Sequence, residues 1–166
     1  MKILEKNKDL VNFLYILRKK NSQIALIPTM GSIHKGHLSL VEKAKKHSFF
    51  SIVTIFINPS QFNNLEDFKN YPKDLKNDIK LLKNYNTDLL FIPSLSNLYP
   101  NGIKRIKTIF EYRNILCDKF RPDHFDGVTT IVNTLVNLIN PQSVFFGEKD
   151  FQQLKLIEKL LEKNKN

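Results

Sequence analysis

Two histidines in the segment PTMGSIHKGH, residues 28–37, have the spacing of a site for a bound anion. His34 and His37 are three residues apart, so they share a face once the chain becomes helical. Imidazoles and free N–H groups at a helix start can donate hydrogen bonds to phosphate oxygens. Gly31 and Gly36 let the backbone approach a ligand closely. The alternative is a pair of surface histidines; a metal site is disfavoured, because no third ligand lies nearby at a suitable spacing.

A second polar segment, FINPSQF at residues 56–62, offers two neutral amide side chains. Asn58 and Gln61 can bind hydroxyl and carboxylate groups without adding charge. Taken alone, the segment is more typical of an ordinary Asn-Pro turn. It therefore indicates a function only in combination with the other polar segments.

A third segment, FFGEKDFQQ at residues 145–153, combines residue types that suit a nucleotide. Lys149 is a point charge suited to a phosphate, and Asp150 could bind a ribose hydroxyl or a metal. Gln153 lies three residues further on, on the same side of the starting helix. The alternative is a helix with an acidic first turn, which is a common stabilising pattern. The coincidence of these side chains with Gly147 favours the functional interpretation.

The composition is that of a folded domain. The chain has 166 residues, of which 42% are hydrophobic and 25% charged, so disorder and collagen-like repeats are excluded. No apolar run reaches the roughly 20 residues that a membrane-spanning helix needs, and the N-terminus lacks the pattern of a secretory signal. The single cysteine, Cys117, cannot form an internal disulfide, which favours a reducing, cytoplasmic location.

The formal charge of +10 does not by itself indicate a nucleic-acid partner. It comes from 22 lysines against 4 arginines, and the lysines are spread along the chain rather than gathered in one block. This composition is what an AT-rich genome would encode, so it indicates a solvated surface rather than a nucleic-acid patch. An attraction for anionic small molecules such as nucleotides remains.

Short buried strands alternate with helices along the chain. Strands are predicted at residues 23–29, 50–57, 88–93 and 143–147, with an edge strand near 106–110. The first helix is predicted at about residues 8–20, with Asp9 as its cap. Further helices are predicted through Leu38–Ala44, from Pro72 onwards, through Val128–Ile139, and after the last strand. This alternation predicts a doubly wound parallel sheet, an α/β fold in which ligands bind beyond the carboxyl ends of the strands. All three polar segments fall there.

Four segments resemble, in order and spacing, the pantoate–β-alanine ligase family of H-x-G-H nucleotidyltransferases. They are IPTMGSIHKGHLSLV, FINPSQF, RPDHFDGVTTIVNTLVNLINP and FFGEKDFQQL, and the likeness extends over about residues 1–160. The NPSQF and FGEKDFQQ segments are specific to this family, whereas H-x-G-H is shared with the wider superfamily. The resemblance implies a nucleotide-binding Rossmann-like domain over residues 1–166, incomplete at its C-terminal edge.

The resemblance also implies a reaction and its substrates. ATP and pantoate would give pantoyl adenylate and pyrophosphate, and β-alanine would then displace AMP to give pantothenate. Small molecules are thus the implied partners, with Mg²⁺ accompanying ATP and a homodimer suggested by the family. Neither a nucleic acid nor a membrane is implied.

The resemblance assigns roles to individual residues. His37 would be the catalytic proton donor, assisted by His34 and Lys149, and Gln61 and Gln153 would grip pantoate, with Gln61 also near β-alanine. Asn58 is a further substrate-binding candidate, and Asp78 is a candidate contact for Mg²⁺. The ATP-binding residues would be Met30, Gly31, Ser32, Ile33, His34, Lys35, Gly36, His37, Gly147, Glu148, Lys149 and Asp150.

The chain departs from the family pattern at its C-terminal end. Family members continue with a further strand, a Ser-Ser-Arg-Asn loop that holds the triphosphate, and a small lid domain. One alternative is therefore a truncated remnant that binds ATP or pantoate without full ligase activity. Another is a different H-x-G-H enzyme, such as a cofactor adenylyltransferase, although the NPSQF and EKDFQQ segments argue against it.

Overall fold

Five parallel strands form one sheet between two layers of helices in the computed structural model, which describes residues 1–107, 116–121 and 123–163. The strands are β1 (Lys2–Leu4), β2 (Ile24–Thr29), β3 (Phe50–Ile55), β4 (Leu89–Phe91) and β5 (Ser143–Val144). The helices are α1 (Asn7–Lys19), α2 (Lys35–Lys46), α3 (Leu65–Asn70), α4 (Leu75–Asn84), α5 (Leu95–Leu98), α6 (Leu116–Phe120), α7 (His124–Ile139) and α8 (Phe151–Lys163), with 3₁₀ turns at Pro59–Gln61 and Glu148–Asp150. The strand order β1-β4-β3-β2-β5 confirms the predicted α/β class.

Both faces of the sheet are covered, which explains why the strands are continuous apolar runs in the sequence. Ile24 and Leu26 of β2 pack into one core cluster with α1, α7 and α8. Ala25 and Ile27 point to the other face and pack into a second cluster with α2 and α4. A strand buried on both sides has no polar face, so it lacks the alternation of a half-exposed strand.

The strand order reverses at β2, and this reversal creates a crevice. The chain continues from β2 to β3 on one side, whereas β5 pairs with β2 on the other. The helix after β2 packs in one core cluster and the helix after β5 packs in the other, so α2 and α8 lie on opposite faces. The carboxyl ends of β2 and β5 therefore diverge, which is where doubly wound folds bind their ligands.

Pro28 helps to keep this crevice open. The carbonyl groups of Ile24 and Leu26 accept hydrogen bonds from Gln142 and Phe145 on the β5 side, at 2.9 Å each. Alternate residues of a strand face the same neighbour, so the backbone nitrogen of Pro28 also faces the β5 side. Proline has no N–H to donate, and the ladder between β2 and β5 ends before it. The chain beyond β5 is therefore free to leave the sheet.

Two predicted helix starts differ in detail from the structure. The first helix, Asn7–Lys19, agrees with the predicted range of about 8–20, but its N-cap is Lys6, and Asp9 lies in the first turn instead of capping it. The helix expected from Pro72 begins at Leu75, because the side chain of Asp74 accepts the N–H of Asn77 at 3.0 Å and so caps it.

The predicted strands are shortened in the structure and one strand was missed. The last predicted strand pairs with β2 only over Ser143–Val144. The missed strand β1, Lys2–Leu4, pairs in parallel with β4, and three residues are too short to show a pattern in sequence. In the predicted edge strand near 106–110, residues 106 and 107 are not in a strand, and the rest lies outside the described residues. No helix within the described ranges is long and apolar enough to cross a bilayer.

The first turn of α7 packs directly against the 3₁₀ turn at Pro59–Gln61, and a glycine permits this contact. A Cβ atom at Gly127 would lie 2.4 Å from the carbonyl oxygen of Ser60 and 2.9 Å from the backbone nitrogen of Gln61. Asn58 adds a hydrogen bond from its amide nitrogen to the carbonyl of Gly127, at 3.1 Å. These contacts attach the turn to the helix through backbone atoms, which cannot move aside as a flexible side chain can.

We expect Gly127→Ala to lower the free energy of unfolding by about 1–3 kcal/mol, because the added methyl group must displace backbone. Urea denaturation measures this change. Gly147→Ala is the matched control, because its φ is −77° and a Cβ there meets no other described atom within 4 Å. Equal stability of the Gly127→Ala variant and the wild type would contradict the close packing of this turn.

Candidate functional site

A cavity of about 280 Å³ lies in the crevice at the carboxyl end of β2, and we call it the crevice cavity. One wall is the apolar face of α7, and the other walls are the polar segments that follow β2, β3 and β5. The lining residues are Pro28, Thr29, Met30, His34, His37, Phe56, Gln61, Tyr71, Val128, Ile131, Val132, Leu135, Phe146, Asp150 and Gln153. Side chains from all three predicted segments therefore share one cavity.

A larger and more open cavity of about 780 Å³, which we call the outer cavity, adjoins the first. Both cavities are lined by the same five side chains, which form their common boundary: Met30, Gln61, Tyr71, Asp150 and Gln153. The outer cavity is further lined by Arg121, His124 and several asparagines. A ligand in the crevice cavity and a second one in the outer cavity would meet at this boundary.

A buried carboxylate holds the loop between β2 and α2. Gly31 and Ser32 both have left-handed backbone conformations, with φ of +84° and +54°. Asp78 of α4 is 2% exposed, and its two oxygens accept the backbone N–H groups of Ser32 at 2.9 Å and Ile33 at 2.7 Å. A left-handed non-glycine residue costs about 1–3 kcal/mol, which two hydrogen bonds to a charged acceptor can offset.

The position of Gly31 cannot accept a side chain in this arrangement. A Cβ atom there would lie 3.0 Å from the carboxylate of Asp78 and 3.3 Å from the side chain of Ile55. The left-handed φ of Gly31 adds a backbone penalty for any other residue. The glycine of the Thr-Met-Gly sequence thus lets the loop turn sharply over the carboxylate.

The two histidines of the H-x-G-H motif stack against each other. His34 is the N-cap of α2, and its Nδ1 accepts the N–H of Gly36 at 3.1 Å. The ring centroids of His34 and His37 are 4.1 Å apart, with 33° between the ring planes. His34 is exposed and His37 is half-buried, and both line the crevice cavity. The predicted common orientation of the pair is confirmed, although only His37 lies within the helix.

Burial controls the charge of His37. Desolvation, with a further contribution from the neighbouring His34, lowers the pKa of His37 to about 4, against smaller opposing effects of Asp78 and Asp150. The ring is therefore neutral at pH 7 in the free protein, and its Nδ1 is buried without a hydrogen-bond partner among the described residues. The negative charge of a bound phosphate would raise this pKa and favour the imidazolium, in which both ring nitrogens donate.

The two amide side chains of the second polar segment have different surroundings. Gln61 lines both cavities, as a substrate-contacting residue would. Asn58 is fully buried instead, where its side-chain oxygen accepts from Ser60 while its nitrogen donates to the carbonyl of Gly127. Asn58, predicted to bind substrate, lines neither cavity; it caps the 3₁₀ turn and so holds Gln61 in place.

The third segment places one carboxylate and one glutamine in the site, and its lysine outside it. Asp150 and Gln153 line both cavities. Glu148 and Lys149 are exposed on the 3₁₀ turn, and neither lines these two cavities. The predicted contact between Lys149 and a phosphate therefore stays a prediction, which requires its flexible side chain to turn toward the ligand.

Two of the polar lining residues that the sequence interpretation did not assign are Tyr71 and His124. Tyr71 lines both cavities, and burial together with the nearby charge of Asp78 raises its pKa. His124, the first residue of α7, lines the outer cavity, and its Nδ1 lies 2.8 Å from the carbonyl oxygen of Gln61. The RPDHFDGV segment carries this histidine, but a helix start between loops gives no spacing signal that would identify it.

The residues present do not fit a protein-bound Mg²⁺ centred on Asp78. Both of its oxygens already accept backbone N–H groups, and the side chain is almost completely buried. Within the described ranges, no group of three His, Cys, Asp or Glu residues could hold a metal. Mg²⁺ commonly binds through substrate phosphates and a few protein ligands, so an ion bound to ATP needs no dedicated protein cage.

We expect Asp78→Asn to weaken both the fold and the nucleotide loop. An asparagine turns an N–H₂ group toward one of the two backbone N–H groups, so the variant should lose about 1–3 kcal/mol of unfolding free energy. Asp74→Asn is the matched control on the same helix, because asparagine caps a helix as well as aspartate. Urea denaturation compares the two, and equal stability would remove Asp78 as the residue that holds the loop.

The low pKa of His37 predicts a loss of stability in acid. A histidine that titrates near 6.5 when unfolded and near 4 when folded stabilises the fold fully above pH 6.5, and this stabilisation is lost as the pH falls toward 4. In His37→Gln, the free energy of unfolding should therefore decline less steeply between pH 6.5 and 4.5. His47→Gln, at the exposed end of α2, is the control. An unchanged pH dependence would show that His37 is not buried as described.

Comparison with known proteins gives a consistent assignment. The sequence profile of the family described as "Pantoate-beta-alanine ligase" matches residues 2–166. The chain is 49% identical over 168 residues to the pantothenate synthetase of Buchnera aphidicola subsp. Acyrthosiphon pisum, with 100% of this chain and 59% of that protein covered. It is 49% identical over 164 residues to the pantothenate synthetase of Wigglesworthia glossinidia brevipalpis, with 97% and 57% covered.

Solved structures give the same result. The pantoate-beta-alanine ligase of Francisella tularensis, complexed with "Beta-gamma ATP and Beta-alanine", has a TM-score of 0.93 and 41% identity, covering 98% of this chain and 62% of that one. The pantothenate synthetase of Thermus thermophilus has a TM-score of 0.90 and 36% identity, covering 98% and 58%. The chain thus spans about three fifths of the length of these relatives. By profile, identity and structure, it belongs to the pantoate–β-alanine ligase family.

Proposed function

We propose that this chain binds ATP and pantoate in the crevice cavity and takes part in the ATP-dependent condensation of pantoate with β-alanine. The observation that carries the proposal is that His34, His37, Gln61 and Gln153 line one cavity at the strand-order reversal. Family membership supports the choice of substrates, since the solved Francisella tularensis relative is described as complexed with "Beta-gamma ATP and Beta-alanine".

The first step needs positioning rather than a base. The carboxylate of pantoate is ionised at pH 7, because the pKa of such acids is about 4. One of its oxygens attacks the α-phosphorus of ATP; that P–O bond forms while the bond to the leaving pyrophosphate breaks. The barrier is the repulsion between anions and the charge that develops on pyrophosphate.

The loop residues suit this step. The N-terminus of α2 and the stacked imidazoles of His34 and His37 can donate to phosphate oxygens. When the triphosphate raises the pKa of His37, protonation makes both of its ring nitrogens donors. Lys149 would add a cation from the facing turn. The amides of Gln61 and Gln153 would hold pantoate without adding charge. Any Mg²⁺ would arrive with the triphosphate, and no step is assigned to it.

The second step joins an amine to the activated acyl group. The nitrogen of β-alanine attacks the acyl carbon of pantoyl adenylate, a C–N bond forms, and AMP leaves with the electrons of the C–O bond. Excluding water matters here, because acyl adenylates hydrolyse readily. The apolar α7 wall of Val128, Ile131, Val132 and Leu135 supports exclusion of water on one side of the crevice cavity.

A second candidate function is binding of ATP or pantoate, or adenylate formation, without completion of the amide. Pyrophosphate release without pantothenate would identify this case. A homodimeric assembly and a cytoplasmic location stay predictions; sedimentation and cell fractionation test them.

Incubation with ATP, pantoate and β-alanine tests the proposal directly. We expect pantoate-dependent exchange of labelled pyrophosphate into ATP, together with formation of AMP and pantothenate. His37→Ala should lower this exchange by at least about a hundredfold, because it removes the proposed acid, whereas His47→Ala should leave the rate unchanged. Absence of exchange and of AMP in the wild type would refute the ligase assignment for this chain, and an unchanged rate in His37→Ala would remove His37 from the mechanism.

A further inference from the structure

His124 contacts the main chain of Gln61 rather than its side chain. The Nδ1 atom of His124 lies 2.8 Å from the carbonyl oxygen of Gln61, and both residues are buried. A carbonyl oxygen can only accept, so Nδ1 must carry the proton in this contact. The histidine is therefore held as the Nδ1–H tautomer, and burial, which lowers its pKa, keeps it neutral.

Both backbone polar groups of Gln61, its N–H and its carbonyl, therefore have hydrogen-bond partners. Its N–H donates to the carbonyl of Asn58 at 3.1 Å, and its carbonyl accepts from His124. The side chain of Asn58 ties the same turn to Gly127, one turn further along α7. The direction in which the Gln61 side chain leaves this turn thus depends on two contacts with the start of α7.

The location of this contact gives it a functional consequence. Gln61 lies on the boundary shared by the crevice cavity and the outer cavity, and His124 lines the outer cavity beside it. A buried carbonyl that loses its donor tends to turn toward another partner, because an unsatisfied buried group is costly. For Gln61, such a turn would carry the amide away from the boundary between the two cavities, which Gln153 also lines.

We propose that His124 is a positioning residue, which holds the Gln61 amide in its pantoate-binding orientation by donating a hydrogen bond to the Gln61 carbonyl. This inference rests on the proposed function, because it assumes that the Gln61 amide contacts pantoate. It assigns His124 no contact with ATP, since the crevice-cavity lining includes His34 and His37 but not His124.

The tautomer of His124 can be measured without any activity. Long-range ¹H–¹⁵N spectra of the labelled wild-type chain at pH 7 should show a protonated Nδ1 and an unprotonated Nε2 for His124. The opposite tautomer, with the proton on Nε2 alone, would overturn the inference, because Nδ1 could then not donate to the Gln61 carbonyl. This measurement stands even if the chain binds no pantoate, which would be a failure of the proposed function instead.

Three substitutions distinguish hydrogen-bond donation by His124 from the space that its side chain fills. His124→Asn places an N–H₂ group where Nδ1 lies, His124→Gln places one near the position of Nε2, and His124→Phe keeps a ring without donors. Calorimetric titration should give a pantoate dissociation constant within about threefold of wild type for His124→Asn and about tenfold weaker for the Gln and Phe variants. ATP affinity should stay unchanged in all three.

Each result decides the inference. Wild-type pantoate affinity in His124→Phe would overturn it, as would equal weakening of ATP and pantoate binding, which indicates a general packing defect. If the Phe variant does not fold, the comparison of the Asn and Gln variants is decisive: tighter pantoate binding by Asn supports donation from the Nδ1 position, and equal binding contradicts it.

Discussion

A carboxylate buried beneath the Met30–His37 loop holds that loop in a conformation that ordinary residues avoid. Asp78 accepts two consecutive backbone N–H groups, and this offsets the left-handed conformation of Ser32. The same loop ends at the stacked imidazoles and the N-terminus of α2, which are the groups that can receive phosphate. The orientation of the anion-binding groups therefore depends on one charged side chain from another helix, and a neutral or shorter side chain there would leave the loop without its support.

The crevice exists because the pairing between strands β2 and β5 stops after a short stretch. β5 pairs over two residues, and Pro28 offers no donor on the side where the ladder would continue. Because β2 and β5 part at this point, the polar segments after them face each other across a cavity. The side chains divide into those that line this cavity, such as Gln61 and Gln153, and those that hold them, such as Asn58 and His124.

The buried strands and their order of appearance could be predicted from the sequence, because strands covered on both faces are continuous apolar runs. Boundaries were less predictable, since they depend on capping contacts such as that of Asp74 and on where a neighbouring strand ends. In the site, His34, His37, Gln61, Asp150 and Gln153 were predicted to lie together, and they line one cavity. Each follows a strand, and the carboxyl ends of parallel strands meet at one edge.

The sequence by itself determined the alternation of strands and helices, the family and the residue types available for binding an anion, because these follow from local patterns of polarity and spacing. The tertiary structure decided which polar side chains face the ligand and which support others. Asn58 and Asp78 have the chemistry of ligand-binding residues, yet they are buried and bonded to backbone groups distant in the chain. Such partners are set by helix packing, which no local spacing encodes, and the same is true of the contact between His124 and Gln61.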